Sequence, residues 1–273
     1  MWRKTSYELR TCEVAMIETP KSQYAQIADE LRSRIESGTY PPGSLLPSES
    51  RLAEELGVSR VTINKAITLL RASGDVKVRR GSGTYVRSLP KISRNARRRY
   101  AARGEGTGAG EVEARKLNLA SVTKYREIAR VKSPERVSEI LKLRKGEYTL
   151  VRRRVLYADG EPTQIADSYY PWSLVKGSAA LQREDTGPGG SYSRLADLGY
   201  LPVRFTEDVA VRLPDDAEQR TLEIEAIQPV FEIWHVAYAE QDRPIEVCVH
   251  VMPGALWSLR YDWDDEPIAR PSA

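Results

Sequence analysis

The stretch that decides the fold runs from Pro47 to Gly74 and has the sequence PSESRLAEELGVSRVTINKAITLLRASG. Ser48 and Ser59 are residue types that cap helix N-termini, and each precedes a segment with helical spacing. Gly57 stands between the two segments, where a helix commonly ends in a left-handed residue. The second segment has apolar residues at i, i+3, i+4 and i+7, which predicts one buried stripe: Ile63, Ala66, Ile67 and Leu70. The pattern predicts two helices joined by a tight turn.

The next residues, Asp75 to Val86, have the sequence DVKVRRGSGTYV. Val76 and Val78 alternate with cationic residues, as in a half-buried strand, and the central RGSG is typical of a turn. Thr84 to Val86 then predicts the returning strand. Two helices followed by a hairpin indicate a helix-turn-helix with a wing, a shape that places its second helix in a DNA major groove.

The polar side of the second helix carries the predicted DNA contacts. Arg60 has the fork geometry that pairs with guanine, Asn64 can pair with adenine, and the Thr62 methyl group can contact thymine. Lys65 is expected on a phosphate. The alternative is an ordinary solvated helix face, since short helix-turn-helix patterns have many false positives. The basic wing favours the DNA role.

Composition excludes several other classes of protein. The chain has 273 residues, 41% hydrophobic and 29% charged, which is globular and sufficient for two domains. Two cysteines and two histidines give no disulfide framework and no metal spacing. No apolar run is long enough to span a membrane, and the N-terminus lacks a secretory pattern. We expect a reducing, cytoplasmic setting and no cofactor.

The charge is distributed unevenly along the chain. Residues 1–100 hold 19 Lys and Arg against 10 Asp and Glu, a net charge of +9, whereas the remainder holds 23 against 28, a net charge of −5. This asymmetry favours a nucleic-acid module joined to a second domain. The expected divisions are an extension (1–21), the winged helix (22–88), a basic and glycine-rich linker (89–118), a second domain (119–264) and a tail (265–273). The linker arginines either add phosphate contacts or only aid solubility.

The second half contains an internal repeat. Residues 134–171 and 214–253 share one order: a proline and an acid, a short amphipathic helix, a strand, a turn and a strand. Two equivalent halves predict one antiparallel sheet with helices packed on it. The fold class is therefore α+β.

Aligning the two halves pairs Arg154 with His235 and Gln164 with Glu246. Polar residues at matched places in a half-buried sheet can converge on one cavity where the halves meet. The alternatives are surface ion pairs for the arginines and a satisfied core histidine for His235. We find no nucleophile–base or His–carboxylate arrangement in the sequence.

Residues 24–86 resemble the winged-helix domain of the GntR family of bacterial transcription regulators. The resemblance lies in Gly38 to Gly43, Leu46 to Glu49, Gly57 to Arg60 and Gly81 to Thr84. It departs at Ser50 and Asn64, where the family usually has arginines. A contact from each position is either missing or remade by Arg51 and Lys65. The expected DNA-contacting residues are Arg51, Ser59, Arg60, Val61, Thr62, Asn64, Lys65, Arg80 and Gly81.

Residues 120–263 resemble the UTRA effector domain of the HutC-type branch of that family. The resemblance lies in Arg154, Tyr157 to Pro162, Ser168-Tyr169, Ser191-Tyr192 and Pro244 to Glu246. It implies a chorismate lyase-like fold that binds a small molecule and dimerises. The expected effector-binding residues are Arg154, Gln164, Tyr169, Tyr192, His235 and Glu246. Leu156 occupies a position where phosphosugar-binding members often have a second arginine, which argues for a less anionic effector.

The sequence therefore predicts a homodimeric, ligand-responsive transcription regulator. Its partners are a double-stranded DNA operator with inverted-repeat symmetry and an unidentified small molecule, and the expected activity is repression. Two alternatives stay open. One is an enzyme of chorismate lyase-like fold fused to a DNA-binding domain, and the other is a ligand-independent plasmid or architectural DNA-binding protein.

Overall fold

The N-terminal domain is a three-helix bundle with a two-stranded wing. The computed structural model describes residues 20–79, 81–95 and 112–262 of the chain. The elements of this domain are α1 (Gln23–Glu36), α2 (Glu49–Leu56), α3 (Arg60–Ala72), β1 (Val76–Arg79) and β2 (Gly83–Val86).

Local chemistry sets the helix boundaries of this domain. The Ser48 side chain accepts from the Arg51 amide at 3.3 Å, and Ser59 accepts from the Thr62 amide at 3.1 Å, so each serine satisfies an otherwise free amide. Gly57 ends α2 in the left-handed region at φ 65°. The core of the domain contains the expected stripe of α3 together with residues of α1, α2 and the wing: Ile27, Ala28, Leu31, Leu52, Ile63, Ala66, Ile67, Leu70, Val76 and Val86.

The C-terminal domain is built on a six-stranded antiparallel sheet with the order β4-β5-β6-β9-β8-β7. Its strands are β4 (Ser121–Lys132), β5 (Tyr148–Ala158), β6 (Glu161–Pro171), β7 (Arg204–Arg212), β8 (Val230–Ala239) and β9 (Arg243–Pro253). The two halves of the repeat are each one side of this sheet, and they meet where β6 pairs with β9. The expectation of one antiparallel sheet in an α+β protein is confirmed.

Helices cover both faces of the sheet. On the outer face lie α5 (Glu135–Ile140) and α8 (Asp216–Leu222), the matched helices of the repeat, which pack on the sheet through Val137 and Leu222. On the inner face lie α6 (Trp172–Val175) and α7 (Gly190–Asp197), which pack through Leu174, Val175 and Leu195. The inner face is therefore enclosed by elements that the two repeats do not share.

The segment expected to be a linker contributes structure to the second domain. Residues Ile92–Asn95 form β3, which pairs in parallel with β10 (Trp257–Arg260), and α4 spans Val112–Lys116. Leu89 and Ile92 are buried against Ile233, Met252 and Trp257. Hydrophobic burial thus fixes the start of the expected linker on the sheet domain. The predicted extension before residue 20, the arginines between residues 96 and 111 and the tail after residue 264 lie outside the described residues.

Candidate functional site

The N-terminal half of α3 presents the residues that the sequence predicted to contact DNA. Arg60, Val61, Asn64 and Lys65 are exposed, and Val61 is exposed to 66% although it is apolar. The opposite side of the helix is buried in the domain core. The arrangement presents donors and acceptors to solvent on a rigid rod that fits a major groove.

Three of these residues have defined neighbours. Asn64 donates through Nδ2 to Glu49 Oε1 at 3.0 Å, which connects α3 to the start of α2. Lys65 Nζ lies 5.9 Å from the centre of the Tyr24 ring. The Thr62 hydroxyl lies 2.8 Å from the Ser59 hydroxyl, so the N-terminus of α3 is held by both side chains.

The wing forms as predicted. β1 and β2 pair antiparallel, with Val76 opposite Val86 and Arg79 opposite Gly83. Gly81 is exposed at the tip with φ 77°, a conformation that favours glycine. Arg79 lies over the Tyr85 ring at 4.7 Å, whereas Arg80 lies outside the described residues.

The inner face of the sheet brings Arg154 and Glu246 into one polar cluster. Arg154 Nη1 donates to Ser168 Oγ at 3.0 Å, and its Nη2 lies 4.0 Å from Cys248 Sγ. Tyr170 donates to Glu246 Oε1 at 2.7 Å. Glu246 is 3% exposed, and its Oε2 accepts no hydrogen bond from any described residue. The cluster therefore holds a guanidinium group and a carboxylate with one unused acceptor oxygen.

Burial controls ionisation in this cluster. Desolvation raises the pKa of Cys248 to about 11, although Arg154 opposes the shift. The thiol is therefore protonated at neutral pH. Burial, followed by the nearby carboxylate of Glu246, raises the pKa of Tyr170 well above its ordinary value, so Tyr170 remains a hydrogen-bond donor.

Two of the predicted effector residues do not join this cluster. Gln164 lies on the inner face but binds His250 Nδ1 at 2.6 Å, near the opposite end of the strands. Tyr169 is not part of the cluster either, because it packs on the outer face against Val137, Leu141 and Val247. Successive residues of a strand point to opposite faces, so it is the neighbouring Tyr170 that reaches Glu246.

Tyr192 and His235 belong to a buried polar chain that runs from α7 to β3, in the segment that was expected to be a linker. Tyr192 Oη lies 3.0 Å from His235 Nε2, and His235 Nδ1 lies 3.1 Å from Glu207 Oε1. Arg94 of β3 donates to both carboxylate oxygens of Glu207, one of them at 2.7 Å. The expectation that no His–carboxylate pair exists is therefore wrong, because β7 and β8 place these distant residues opposite each other.

Arg94 also departs from its expected place in a solvated basic run. It is 1% exposed, and its charge is matched by Glu207. Burial alone raises the pKa of Glu207, but hydrogen bonds from Arg94 and His235 outweigh it and lower the pKa to about 2. Nothing in the composition of residues 89–118 indicated this pair.

Arg152 is a second residue whose role the sequence left open. It is 1% exposed and donates to the backbone carbonyls of Leu181, Arg183 and Glu184. It also donates to the Tyr125 hydroxyl at 2.8 Å. Arg152 therefore fixes the loop that leads to α7, and its donors are directed at protein acceptors. Leu156 is buried beside Ala166 and Cys248.

Ion pairs connect the winged helix to the sheet domain. Arg71, in the last turn of α3, binds the Glu225 carboxylate with one contact at 2.6 Å. Lys77 of the wing contacts Glu223 at 2.6 Å and Glu161 at 3.1 Å. Burial lowers the pKa of Lys77, but the hydrogen bonds to Glu223 and Glu161 outweigh it and raise the pKa above its ordinary value. These contacts border a cavity of about 280 Å³ between the domains.

The domains also approach each other closely at Gly74. A Cβ atom at this position would lie 2.2 Å from the Ala255 Cβ, and Gly74 has φ 69°. Arg87 donates to the backbone carbonyl of Ala255. A glycine is therefore required at this junction by both its conformation and its contact.

No group of three or more His, Cys, Asp or Glu side chains in 20–79, 81–95 and 112–262 is arranged to hold a metal ion. No helix in the same ranges is long and apolar enough to cross a membrane.

A winged helix with an exposed polar helix face, joined to a sheet domain with a polar cluster on its enclosed face, defines a DNA-binding regulator with a ligand-sensing domain. Comparison with known families agrees. Residues 23–86 match the family described as "Bacterial regulatory proteins, gntR family", and residues 116–256 match the UTRA domain. The chain belongs to the GntR family of transcription regulators, in the branch that carries a UTRA domain.

Similar proteins share this arrangement over most of their length. An uncharacterised HTH-type transcriptional regulator of Streptomyces coelicolor is 28% identical over 89% of this chain and 94% of its own. The HTH-type transcriptional regulator GgaR of Escherichia coli is 29% identical over 83% of this chain and 85% of its own. The crystal structure of PhnF from Mycobacterium smegmatis is 22% identical, has a TM-score of 0.56 and covers 88% of this chain and 100% of its own. The last comparison supports the fold.

Proposed function

We propose that this protein is a homodimeric cytoplasmic repressor that binds an inverted-repeat operator and releases it when a small molecule binds the inner face of the sheet. The observation that carries the proposal is the exposed polar side of α3, with Arg60 and Asn64 near its N-terminus. Two copies of this helix are needed to contact both halves of an inverted repeat. The edge strand β7 exposes Val209 and Val211, a surface suited to a second copy of the chain.

The proposed DNA contacts divide into base contacts and backbone contacts. Arg60, Thr62 and Asn64 contact base edges, because their polar or methyl groups project from the exposed side of α3. Arg51, Ser59, Val61 and Lys65 surround them, with the wing residues Arg80 and Gly81 on the adjoining backbone or minor groove. Cations around the base contacts strengthen binding through phosphates without selecting a sequence.

The proposed effector site is the cluster around Arg154 and Glu246, with Ser168, Tyr170 and Tyr192 beside it. Arg154 has no carboxylate oxygen of a described residue within 4.0 Å, whereas Glu246 retains an unused acceptor. A ligand with an acidic group toward Arg154 and a hydrogen-bond donor toward Glu246 satisfies both. His235 reaches the site through Tyr192, whereas Gln164 lies farther along the strands, on His250.

The proposed coupling runs through the buried polar chain from Tyr192 to Arg94. Tyr192 lies on α7, next to the effector site, and Arg94 lies on the strand that leads out of the winged helix. A shift of α7 on ligand binding changes the placement of β3, and with it the winged helix. The ion pairs of Arg71 and Lys77 hold the placement described above, so ligand and operator favour different arrangements.

We propose that the sheet domain binds its ligand without converting it. The thiol of Cys248 lies 4.0 Å from Arg154 Nη2, and its pKa of about 11 keeps it protonated. The chain Tyr192–His235–Glu207 favours the enzyme alternative by its geometry, but Glu207 is also bound by Arg94, and His235 is buried. Turnover of any metabolite by the full-length protein, detected by mass spectrometry, would contradict this proposal and favour the enzyme alternative.

The test is the affinity of Arg60→Ala for a duplex selected from a random pool by the wild-type protein. We expect the affinity to fall at least about thirtyfold, because one bidentate arginine–base pair contributes about 1–3 kcal/mol and a dimer has two. Fluorescence anisotropy measures the affinity, and circular dichroism confirms the fold.

Arg144→Ala is the matched control, since it removes an exposed arginine of the sheet domain and should leave DNA affinity unchanged. Unaltered affinity of Arg60→Ala for the selected duplex would refute the assignment of α3 as the DNA-contacting helix.

A further inference from the structure

Asn64 of α3 is held by a carboxylate of the neighbouring helix. Its Nδ2 lies 3.0 Å from Glu49 Oε1, and Glu49 is the first residue of α2. A carboxylate at the N-terminus of a helix is stabilised by the helix dipole. The Glu49 carboxylate accepts this hydrogen bond and has no N–H group to donate.

This contact determines which way the amide of Asn64 points. An asparagine amide has a donor end and an acceptor end that are exchanged by a half-turn about the terminal bond. Only the donor end can face a carboxylate, so chemistry alone places Nδ2 toward Glu49 and Oδ1 on the other side. Asn64 is exposed, and without this contact both orientations are accessible to it.

The fixed amide matches one base in particular. Nδ2 carries a second N–H, and together with Oδ1 it offers a donor and an acceptor side by side. Adenine presents an acceptor at N7 and a donor at N6 in the major groove, whereas guanine presents acceptors at both N7 and O6. The fixed Oδ1 is attracted to the adenine amino group and repelled by the guanine oxygen.

We propose that Glu49 is a positioning residue that orients Asn64 for adenine and so determines one base in each half of the operator. Glu49 itself adds to the discrimination, because its negative charge disfavours the acceptor-rich edge of guanine. The inference rests on the DNA binding proposed for α3 but concerns the choice of base, not the existence of binding. Arg60 and Lys65 supply affinity independently of it.

The experiment is the selection of duplexes from a random pool by the full-length protein and by Asn64→Ala, Glu49→Gln and Glu49→Ala. We expect the wild-type protein to enrich adenine at one position of each half-site. Asn64→Ala should reduce the preference for adenine over guanine there by about fivefold or more, the loss of one bidentate contact. Both Glu49 variants should reduce it at the same position while every other position keeps its preference.

Glu54→Gln is the matched control, because Glu54 is an exposed carboxylate on the same helix without a hydrogen bond to α3. It should reproduce the wild-type preferences, and thermal unfolding should show that all variants are folded. A purely structural role for Glu49 would lower affinity for all sequences equally and leave the base preference intact.

The outcomes separate the two levels of the proposal. Unchanged adenine preference in Glu49→Gln and Glu49→Ala would overturn the positioning role while leaving DNA binding by α3 in place. Enrichment of a base other than adenine at the position lost in Asn64→Ala would overturn the match to adenine. Failure of the wild-type protein to enrich any sequence would overturn this inference and the proposed operator binding together.

Discussion

The side of α3 proposed to contact DNA and the inner face of the sheet are assembled in opposite ways. The first comes from residues within one short helical stretch, Ser59 to Lys65. The second joins Arg154, Tyr170, His235 and Glu246 from four strands, and a fifth element, α7, covers them. A surface of the first kind can be predicted from the sequence alone. Predicting a surface of the second kind requires the register of the strands.

The largest expected effect concerns the buried ion pair of Arg94 and Glu207, which the sequence did not predict. Arg94→Met should destabilise the protein by about 3–5 kcal/mol, because it leaves the buried Glu207 carboxylate without its guanidinium partner. Urea unfolding followed by circular dichroism measures the change. Arg212→Met is the control, since Arg212 is more exposed and its pairs with Glu218 and Glu232 are partly solvated. If Arg94→Met lowers the free energy of unfolding no more than Arg212→Met does, the Arg94 pair contributes little to stability.

The same pair sets a pH dependence. The folded pKa of Glu207 is about 2, against an ordinary value of 4.5. The stability it contributes is therefore present above pH 4.5 and is lost as the pH falls toward 2. The wild-type protein should lose more stability than Arg94→Met across this window.

The intermediate effect tests whether the inner face binds the effector. Small molecules that co-purify with the full-length protein from a bacterial lysate should be retained about tenfold less by Glu246→Gln. The charged acceptor is removed at constant shape, and hydrogen bonds to charged groups contribute about 1.5–3 kcal/mol. Mass spectrometry of the released molecules gives the measurement. Glu240→Gln, an exposed carboxylate at the start of the β8–β9 turn, should retain them fully. Equal retention by Glu246→Gln would place the effector elsewhere.

The smallest expected effect concerns the ion pairs that join the winged helix to the sheet domain. Glu223→Gln should raise operator affinity by up to about fivefold, because it weakens an ion pair that occupies Lys77 of the wing, and partly exposed pairs contribute about 0.2–1 kcal/mol. Anisotropy titrations at two salt concentrations measure this, and the difference should shrink at the higher salt. Asp197→Asn, whose partner Arg194 lies within the sheet domain, should have no effect. A lower affinity in Glu223→Gln would indicate that the ion pair favours the DNA-binding arrangement.

The sequence predicted the helix-turn-helix almost residue by residue because each boundary has a local cause. Ser48, Gly57 and Ser59 act on the backbone within three residues of themselves, and the stripe from Ile63 to Leu70 is set by helical periodicity. The exposed side, including Arg60 and Asn64, follows once the buried side is known. The wing hairpin follows from alternation and from the turn at Gly81.

The site on the sheet was predicted only in part, for identifiable reasons. Arg154, Tyr192 and Glu246 were predicted through the repeat and the family resemblance, and all three lie on the inner side of the sheet. Tyr169 lies on the outer face, and strand alternation applied from Gln164 selects Tyr170 as the inner-face residue. Arg94 and Glu207 could not be found, because one lies in a polar stretch typical of a linker and the other in an exposed-looking strand. Only the pairing of β3 with β10 and of β7 with β8 brings them together.

The parallel pairing of β3 with β10 means that the sheet domain is closed by a strand from before α4 and a strand from its own C-terminal end. A fragment that begins at residue 112 or later would leave Trp257 and Leu256 without their cover from Ile92 and would bury Glu207 uncompensated. The smallest autonomous sensing fragment therefore begins upstream of Leu89, within three residues of the wing. Only Arg87 and Ser88 separate β2 from the buried Leu89. Under the proposed coupling, a displacement of β3 would therefore also displace the wing.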